Sequence, residues 1–190
     1  MRDALNQLDT ALFLFLNHLH TPWLDGLMVL FTERNTWIPF YLLLVVWLGW
    51  RFGWRATGLV LTLVLAVLIS DQVCSAVLKP LTLRLRPCHE PALQALINPV
   101  LPCGGLYGFA SSHAANTFTL AMSLWLLFGE RYRQFGWLFL WALLVSYSRI
   151  YVGAHYPLDV LAGAGIGTLA AVVAVSLYHT LAGAAYPPRR

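Results

Sequence analysis

Long apolar runs separated by short polar turns dominate the chain from residue 36 onward. Five of these runs predict membrane-spanning helices, at about 36–50, 56–79, 112–129, 134–148 and 157–181. A span needs roughly 20 apolar residues, within a range of about 17–25. The first and fourth runs are short, so we expect flanking arginines to extend toward the membrane surface. The pattern predicts an all-α, polytopic transmembrane helix bundle.

Residues 4–32 are also apolar, but several polar residues and a proline interrupt them: Asn17, His18, His20, Pro22 and Asp25. This interruption favours one or two amphipathic helices that lie in the membrane interface. The alternative is a sixth, broken span. We therefore expect one domain over residues 1–190, with interfacial helices over 1–35 and the transmembrane bundle over 36–182.

Composition supports a membrane protein. Of the 190 residues, 59% are hydrophobic and 11% are charged, whereas a soluble domain carries about 25% charged residues. The net charge is +4, but the basic residues flank apolar runs and form no solvent-facing patch, so nucleic acid is not expected as a partner. Asp3 and Asp9 near the start argue against a cleavable signal peptide.

The arginines of the short turns and of the C-terminus predict the orientation. They are Arg51, Arg55, Arg131, Arg133, Arg189 and Arg190. By the positive-inside rule they face the cytoplasm of a multi-pass protein in the inner (plasma) membrane. The loops at 80–110 and 149–157 then face the periplasm or the cell exterior. Four cations on that side oppose the rule, which suggests that they have a chemical function: Lys79, Arg84, Arg86 and Arg149.

The first candidate motif is Lys79, six residues, then Arg86 and Pro87. Cations at a helix end commonly extend toward the membrane surface, and we favour that interpretation for Arg84. For Lys79 and Arg86 the alternative is a phosphate clamp, because arginine offers a planar fork to two oxygens and lysine a point charge.

The second candidate motif is Ser111, Ser112 and His113, at the start of the third predicted span. Serine is a preferred N-cap residue. The same position favours anion binding, because a helix N-terminus presents free N–H groups and a positive dipole end. Beside a bound phosphate, His113 would be a suitable general acid.

The third candidate motif is Ser148 and Arg149, five residues, His155, three residues, then Asp159. Pro157 suits the first turn of a helix, which places His155 just before that helix. Asp159 is either a favourable charge at the helix end or the acceptor that fixes the His155 tautomer for nucleophilic attack. Gly163 and Gly167 are spaced for close packing of a neighbouring helix.

The three motifs in order resemble the signature of the type-2 phosphatidic acid phosphatase superfamily, over roughly residues 36–182. These are integral-membrane lipid phosphate phosphatases that share a core with vanadium haloperoxidases. The resemblance implies that His155 is the nucleophile, Asp159 its orienting partner and His113 the acid for the leaving group. It also implies phosphoryl binding by five residues, which are Lys79, Arg86, Ser111, Ser112 and Arg149.

The second motif departs from the family pattern at two positions. Ala110 replaces a proline, and Ser112 replaces a glycine. If the family glycine needs a positive φ, Ser112 carries strain. If it does not, the Ser112 N–H still serves and its hydroxyl adds a donor. Every charged and nucleophilic position remains, so activity is expected.

Two further residue groups lie near the motifs. Asp71, inside the second span, is interpreted as a partner for a buried donor, although an intramembrane carboxylate can also be functional. Cys88 and Cys103 are candidates for a disulfide in the outer loop. No metal or other cofactor is expected, because Lys79, Arg86 and Arg149 would repel a cation.

The sequence therefore predicts a phosphatase that cleaves a phosphorylated membrane lipid in the bilayer through a phosphohistidine. By family analogy the first expectation is an isoprenoid (undecaprenyl) pyrophosphate. Its rivals within the class are phosphatidylglycerol phosphate, phosphatidate and lipid A phosphate. Outside the class, the rival functions are a lipid phosphotransferase and a non-catalytic phospholipid-binding protein. The motifs leave the oligomeric state open.

Overall fold

Helices make up most of the molecule. The computed structural model describes residues 2–182. Its helices are α1 Arg2–Asn17, α2 Pro22–Thr32, α3 Ile38–Phe52, α4 Ala56–Gln72, α5 Lys79–Thr82, α6 Ser112–Phe128, α7 Trp137–Tyr151 and α8 Pro157–Ala182. No strand forms within the described residues, where one isolated antiparallel bridge joins Leu85 to Tyr107. The all-α prediction is confirmed.

Each of the five predicted runs is helical, with small differences in its ends. The second run extends past its predicted end at residue 79 to Thr82, because α4 continues through a π-helical segment, Val73–Leu78, into α5. It ends at Leu83, which has a left-handed φ of 49°. Helix α3 ends at Gly53, whose φ of 59° favours glycine, and α4 packs back against α3.

The apolar surface of these helices places the protein in a membrane. Two segments are long and apolar enough to cross one, Arg34–Thr82 with 49 residues and Pro157–Ala182 with 26. Large side chains stay exposed on the bundle, including Trp50 at 82% and Leu161 at 65%. Such a surface is costly in water and favourable in lipid. Helices α6 and α7 have 17 and 15 residues, so the count of five spans stays a prediction.

Helices α6 and α8 form the centre of the bundle, and glycines set their separation. A Cβ on Gly163 would lie 2.3 Å from the carbonyl oxygen of Ser111, and one on Gly167 would lie 2.1 Å from that of Ala115. The Thr119 hydroxyl also donates to the Gly167 carbonyl at 3.1 Å. The predicted close packing is therefore present.

Helix α1 packs against α7 and α8 through one face that carries both polar and apolar residues. Asp9, Phe13 and Asn17 recur every fourth residue on that face, and all three are buried. The Asn17 amide donates to the Tyr151 carbonyl at 2.7 Å. The polar residues that interrupt this apolar segment are thus partly explained by contacts with the bundle.

The three motifs lie at one end of the bundle, where α5 and α7 end and α6 and α8 begin. At the opposite end, Arg51 and Arg131 both donate to the Tyr132 hydroxyl, at 3.1 and 3.2 Å. These two arginines therefore share a face, as predicted. Arg189 and Arg190 lie outside the described residues.

Candidate active site

The segment between α5 and α6 closes on itself beside the site. The backbone N–H of Arg86 donates to the Leu106 carbonyl at 3.1 Å, and the backbone N–H of Gly108 donates to the Arg84 carbonyl at 2.8 Å. Farther along, Cys88 and Cys103 are joined in a disulfide with Cα atoms 6.0 Å apart. His89 lies close to both sulfurs, but a disulfide leaves neither sulfur as a thiolate ligand for a metal.

Backbone and side-chain hydrogen bonds join the three motifs. Lys79 of the first motif donates to the Ser112 hydroxyl of the second at 2.9 Å. The Ser111 N–H donates to the backbone carbonyl of Asp159, in the third motif, at 2.9 Å. Residues far apart in the sequence therefore meet at a single location.

A hydrogen bond to the protein holds each of the remaining predicted phosphate-binding cations, Arg86 and Arg149. Arg86 donates through Nε to the Tyr107 carbonyl at 3.2 Å. Arg149 donates through Nη1 to the Thr32 hydroxyl of α2. The Ser111 hydroxyl is buried without a partner, as is Nε of Arg149. Because buried polar groups are normally satisfied, these two groups are available to a ligand at the site.

His155 and Asp159 form a buried pair. Their side chains are 2% and 0% exposed, and His155 Nδ1 lies 3.5 Å from Asp159 Oδ2. That distance exceeds a normal hydrogen bond. Oδ2 also accepts the Tyr156 N–H at 3.0 Å. With Nδ1 directed toward the carboxylate, the other ring nitrogen is the one available to a substrate.

Burial and the surrounding cations keep the His155 imidazole neutral. Burial is the larger cause, and the charges of Arg149, Arg86 and Lys79 act in the same direction, so the pKa of His155 lies well below its usual value. A neutral imidazole has a free lone pair, which a nucleophile requires.

His113 lies at the polar end of a cavity of about 520 Å³ between α3, α4 and α6. Apolar side chains such as Leu48 and Leu63 line its deeper part. Asp71 also lines the cavity and accepts a hydrogen bond from the Asn116 amide at 3.0 Å. The structure thus gives Asp71 the predicted role of partner to a donor.

One interpretation of the sequence needs correction, and one question that the sequence left open is answered. Arg84 does not extend toward a membrane surface; it donates to Asp159 at 2.7 Å and to Asp9 at 2.5 Å. Its two carboxylate partners explain why it turns inward. Ser112 carries no backbone strain, because it begins α6 in helical conformation and has no positive φ.

The motifs did not identify three residues that the structure places here. Asp9 reaches the site from α1, Thr32 binds Arg149, and Arg34 lines the cavity beside His113. The charge of Arg34 also lowers the pKa of Arg86, after the larger effect of burial. A carboxylate within the apolar segment 4–32 was a sequence signal for Asp9; Thr32 and Arg34 carry no comparable signal.

A helical membrane bundle with three cations, two histidines and a buried carboxylate at one end defines a lipid phosphatase. The PAP2 superfamily model matches residues 55–182, and the chain belongs to that superfamily. It is a hydrolase of phosphate esters, as predicted, and the non-catalytic function is set aside.

Curated relatives agree on the class. The chain is 41% identical to the lipid A 4'-phosphatase of Bacteroides thetaiotaomicron over 88% of this chain and 75% of that protein. It is 32% identical to the undecaprenyl-diphosphatase of Sulfolobus acidocaldarius, over 90% and 79% respectively. Undecaprenyl pyrophosphate, the first expectation, therefore corresponds to the weaker of these two similarities.

Two solved structures share the fold. The crystal structure of Aquifex aeolicus LpxE has a TM-score of 0.71 and 28% identity, and the match covers 89% of this chain and 95% of that one. A PAP2-type phosphatidylglycerolphosphate phosphatase from Bacillus subtilis has a TM-score of 0.71 and 20% identity, with coverages of 94% and 88%. At that identity the second likeness supports the fold alone.

Proposed function

We propose that this enzyme removes a phosphate monoester from lipid A or a closely related lipid. The observation that carries the proposal is the buried His155–Asp159 pair among three cations, close to His113, which lines the polar end of an apolar cavity. The 41% identity to a lipid A 4'-phosphatase favours this lipid over the isoprenoid.

The reaction proceeds in two steps. His155 Nε2 attacks the phosphorus, the bond from phosphorus to the lipid oxygen breaks, and His113 gives its proton to that oxygen. Water then attacks the phosphohistidine, and His113 takes the proton. The products are the lipid alcohol and inorganic phosphate, and His155 is regenerated. The negative charge of the bound phosphate favours the protonated form of His113 before the first step.

The cations bind the phosphoryl oxygens and stabilise the charge that develops in the transition state. Lys79, Arg86 and Arg149 supply this positive charge, and the Ser111 hydroxyl and Ser112 N–H add donors. Arg34 gives the headgroup a further cation at the cavity entrance. The site needs no metal in this scheme, because protein cations occupy the positions where a metal would otherwise neutralise the substrate.

The cavity supports a lipid with hydrocarbon chains. Its polar end carries Ser112 and His113, and its walls are mainly apolar. A hydrocarbon chain in the cavity is removed from contact with water, and this stabilises binding by about 0.8 kcal/mol for each buried CH₂ group. We propose that the site opens at the membrane–water interface and faces the periplasm or the cell exterior.

Undecaprenyl diphosphate is the second candidate, favoured by the 32% identity to an undecaprenyl-diphosphatase. The two candidates differ in the bond that breaks, a phosphate ester in lipid A and a phosphoanhydride in the diphosphate. A diphosphate leaves a phosphorylated lipid, which needs less help from a general acid.

The deciding experiment is phosphate release by purified enzyme in detergent from a panel of lipid phosphates. The panel contains lipid A, undecaprenyl diphosphate, phosphatidylglycerol phosphate and phosphatidate, with and without vanadate. The proposal predicts the highest kcat/KM for lipid A, loss of the 4'-phosphate and inhibition by vanadate. A higher kcat/KM for undecaprenyl diphosphate would overturn the lipid A assignment, and transfer to an acceptor lipid without phosphate release would indicate a phosphotransferase.

A further inference from the structure

Arg84 occupies one of the six unspecified positions between Lys79 and Arg86 in the first motif, and Asp9 lies outside the residues that the family model matches. Arg84 contacts Asp159 of the catalytic pair, and Asp9 contacts Arg84. The Arg84 guanidinium donates to Asp159 Oδ1 at 2.7 Å and to Asp9 Oδ2 at 2.5 Å. One planar side chain therefore joins a carboxylate of α1 to the carboxylate behind His155.

Asp9 also binds the start of α8 directly. Its second oxygen, Oδ1, accepts the Leu158 N–H at 2.9 Å. Leu158 belongs to the first turn of α8, where backbone N–H groups lack helical partners. Asp9 is 4% exposed, so both of its oxygens are engaged in a site that excludes most water.

The guanidinium of Arg84 packs against an aromatic ring in addition to making its two hydrogen bonds with carboxylates. It lies 4.2 Å from the centroid of the Tyr156 ring, which favours a cation. Burial alone would lower the pKa of Arg84, but the carboxylates of Asp159 and Asp9 outweigh burial and raise it. Arg84 therefore remains charged and in one orientation.

The charge balance gives Asp9 a chemical role. Arg84 alone would neutralise Asp159, whereas Arg84 with Asp9 and Asp159 leaves one net negative charge behind His155. During attack on phosphorus the His155 ring becomes positive, and a nearby negative charge stabilises it. Arg84 also holds Asp159 Oδ1, which leaves Oδ2 directed toward His155 Nδ1.

We propose that Asp9 and Arg84 are positioning residues that orient Asp159 and maintain its negative charge toward His155. The inference rests on the proposed role of His155 as nucleophile. It extends the reaction machinery to α1, which the signature motifs do not include. Neither residue touches the substrate; both act through Asp159.

A double-mutant cycle tests the inference in the full-length enzyme. Asp9→Asn should lower kcat about 10- to 100-fold, the effect seen when outer-shell partners of metal-site ligands are removed, with little change in KM. In an Asp159→Asn background, Asp9→Asn should cause no further loss of kcat. Asp9 acts on His155 only through the Asp159 carboxylate, which that background lacks. Asp3→Asn, an exposed carboxylate on the same helix, is the matched control and should behave as wild type.

Arg84→Lys keeps the charge but not the planar fork, so it should lose kcat as Asp9→Asn does. It also tests the proposal if Asp9→Asn is not recovered as folded protein, as judged by gel filtration in detergent. An undiminished kcat in both variants, a loss confined to KM, or equal losses in the two backgrounds would overturn the positioning role. His155→Ala is measured in parallel, because full activity there would refute the proposed mechanism instead.

Discussion

His113 and His155 have different surroundings, and the difference fits two chemical roles. His155 is buried beside Asp159 among cations that favour its neutral form, which suits a nucleophile. His113 is half-buried and borders the cavity that would receive the lipid. A proton carried by His113 can therefore reach the oxygen that leaves with the lipid.

Substitution of His113 should affect poor leaving groups most. His113→Ala is expected to lower kcat on a lipid phosphate by about 10²- to 10⁴-fold, the usual contribution of a general acid. The loss on p-nitrophenyl phosphate should be much smaller, because nitrophenolate leaves without a proton. Steady-state kinetics on both substrates decide the point. Equal losses on the two would contradict this role.

The motif residues were predictable because each has an unusual chemistry for an apolar chain. Lys79, His155 and Asp159 could be proposed as site residues from their spacing and its resemblance to the family signature. Arg84 could not, since a lone arginine after an apolar helix commonly extends toward the membrane surface. Its real environment depends on Asp9, which is 75 residues away in sequence. Such a long-range pair leaves no pattern in a single sequence.

At the scale of helices, the contact between α6 and α8 sets the relative positions of the site residues that the two helices carry. Gly163 faces the Ser111 carbonyl, and the Ser111 N–H binds the Asp159 carbonyl. Helix separation and site geometry are therefore coupled. The spacing of the two glycines predicted this contact. The π-helical segment Val73–Leu78 was not predicted, because its widening leaves no periodic signal in an apolar run.

Gly163→Ala should damage both stability and activity. The added Cβ would lie 2.3 Å from the Ser111 carbonyl oxygen, so α6 and α8 must separate. Overpacking of this kind costs about 1–3 kcal/mol. The matched control is Gly165→Ala on the same helix, where nothing lies within 4 Å. The unfolding temperature in detergent and kcat should both fall for Gly163→Ala and not for Gly165→Ala. Unchanged stability and activity of Gly163→Ala would contradict the coupling.

The disulfide should stabilise the loop that carries Arg86. Closing a loop of about 15 residues contributes about 3 kcal/mol in the chain-entropy model. Intact mass with and without reductant shows whether the bond forms, and reduction should lower the unfolding temperature. Activity should fall less, because hydrogen bonds at Arg84 and Arg86 also close this segment. Two free thiols in protein never exposed to reductant would disprove the bond.

At the scale of the molecule, the distribution of charge and apolar surface is the basis of the predicted orientation. The site lies at one end of the bundle, and the contact between Arg51, Arg131 and Tyr132 lies at the other. Composition predicted a membrane protein, and the pattern of apolar runs predicted the division into helices. The packing of α1 against the bundle was not predicted, because an amphipathic pattern does not distinguish lipid from protein as the apolar partner.

The orientation predicts which positions a membrane-impermeant maleimide can reach in intact cells. Ala95→Cys and Glu130→Cys place exposed thiols in the site-side loop and in the turn between α6 and α7. The first should react, and the second should react only after the membrane is permeabilised. A Cys74→Ala background removes the buried free thiol. The reverse labelling pattern would invert the topology.

The most direct test of the whole account is a rapid-quench experiment with ³²P-labelled lipid A. Wild-type enzyme, mixed briefly and quenched in alkali, should carry the label on His155, identified by peptide mapping. His155→Ala should carry none and should release no phosphate above background. Label on another residue, or a His155→Ala enzyme with wild-type turnover, would contradict the phosphohistidine mechanism.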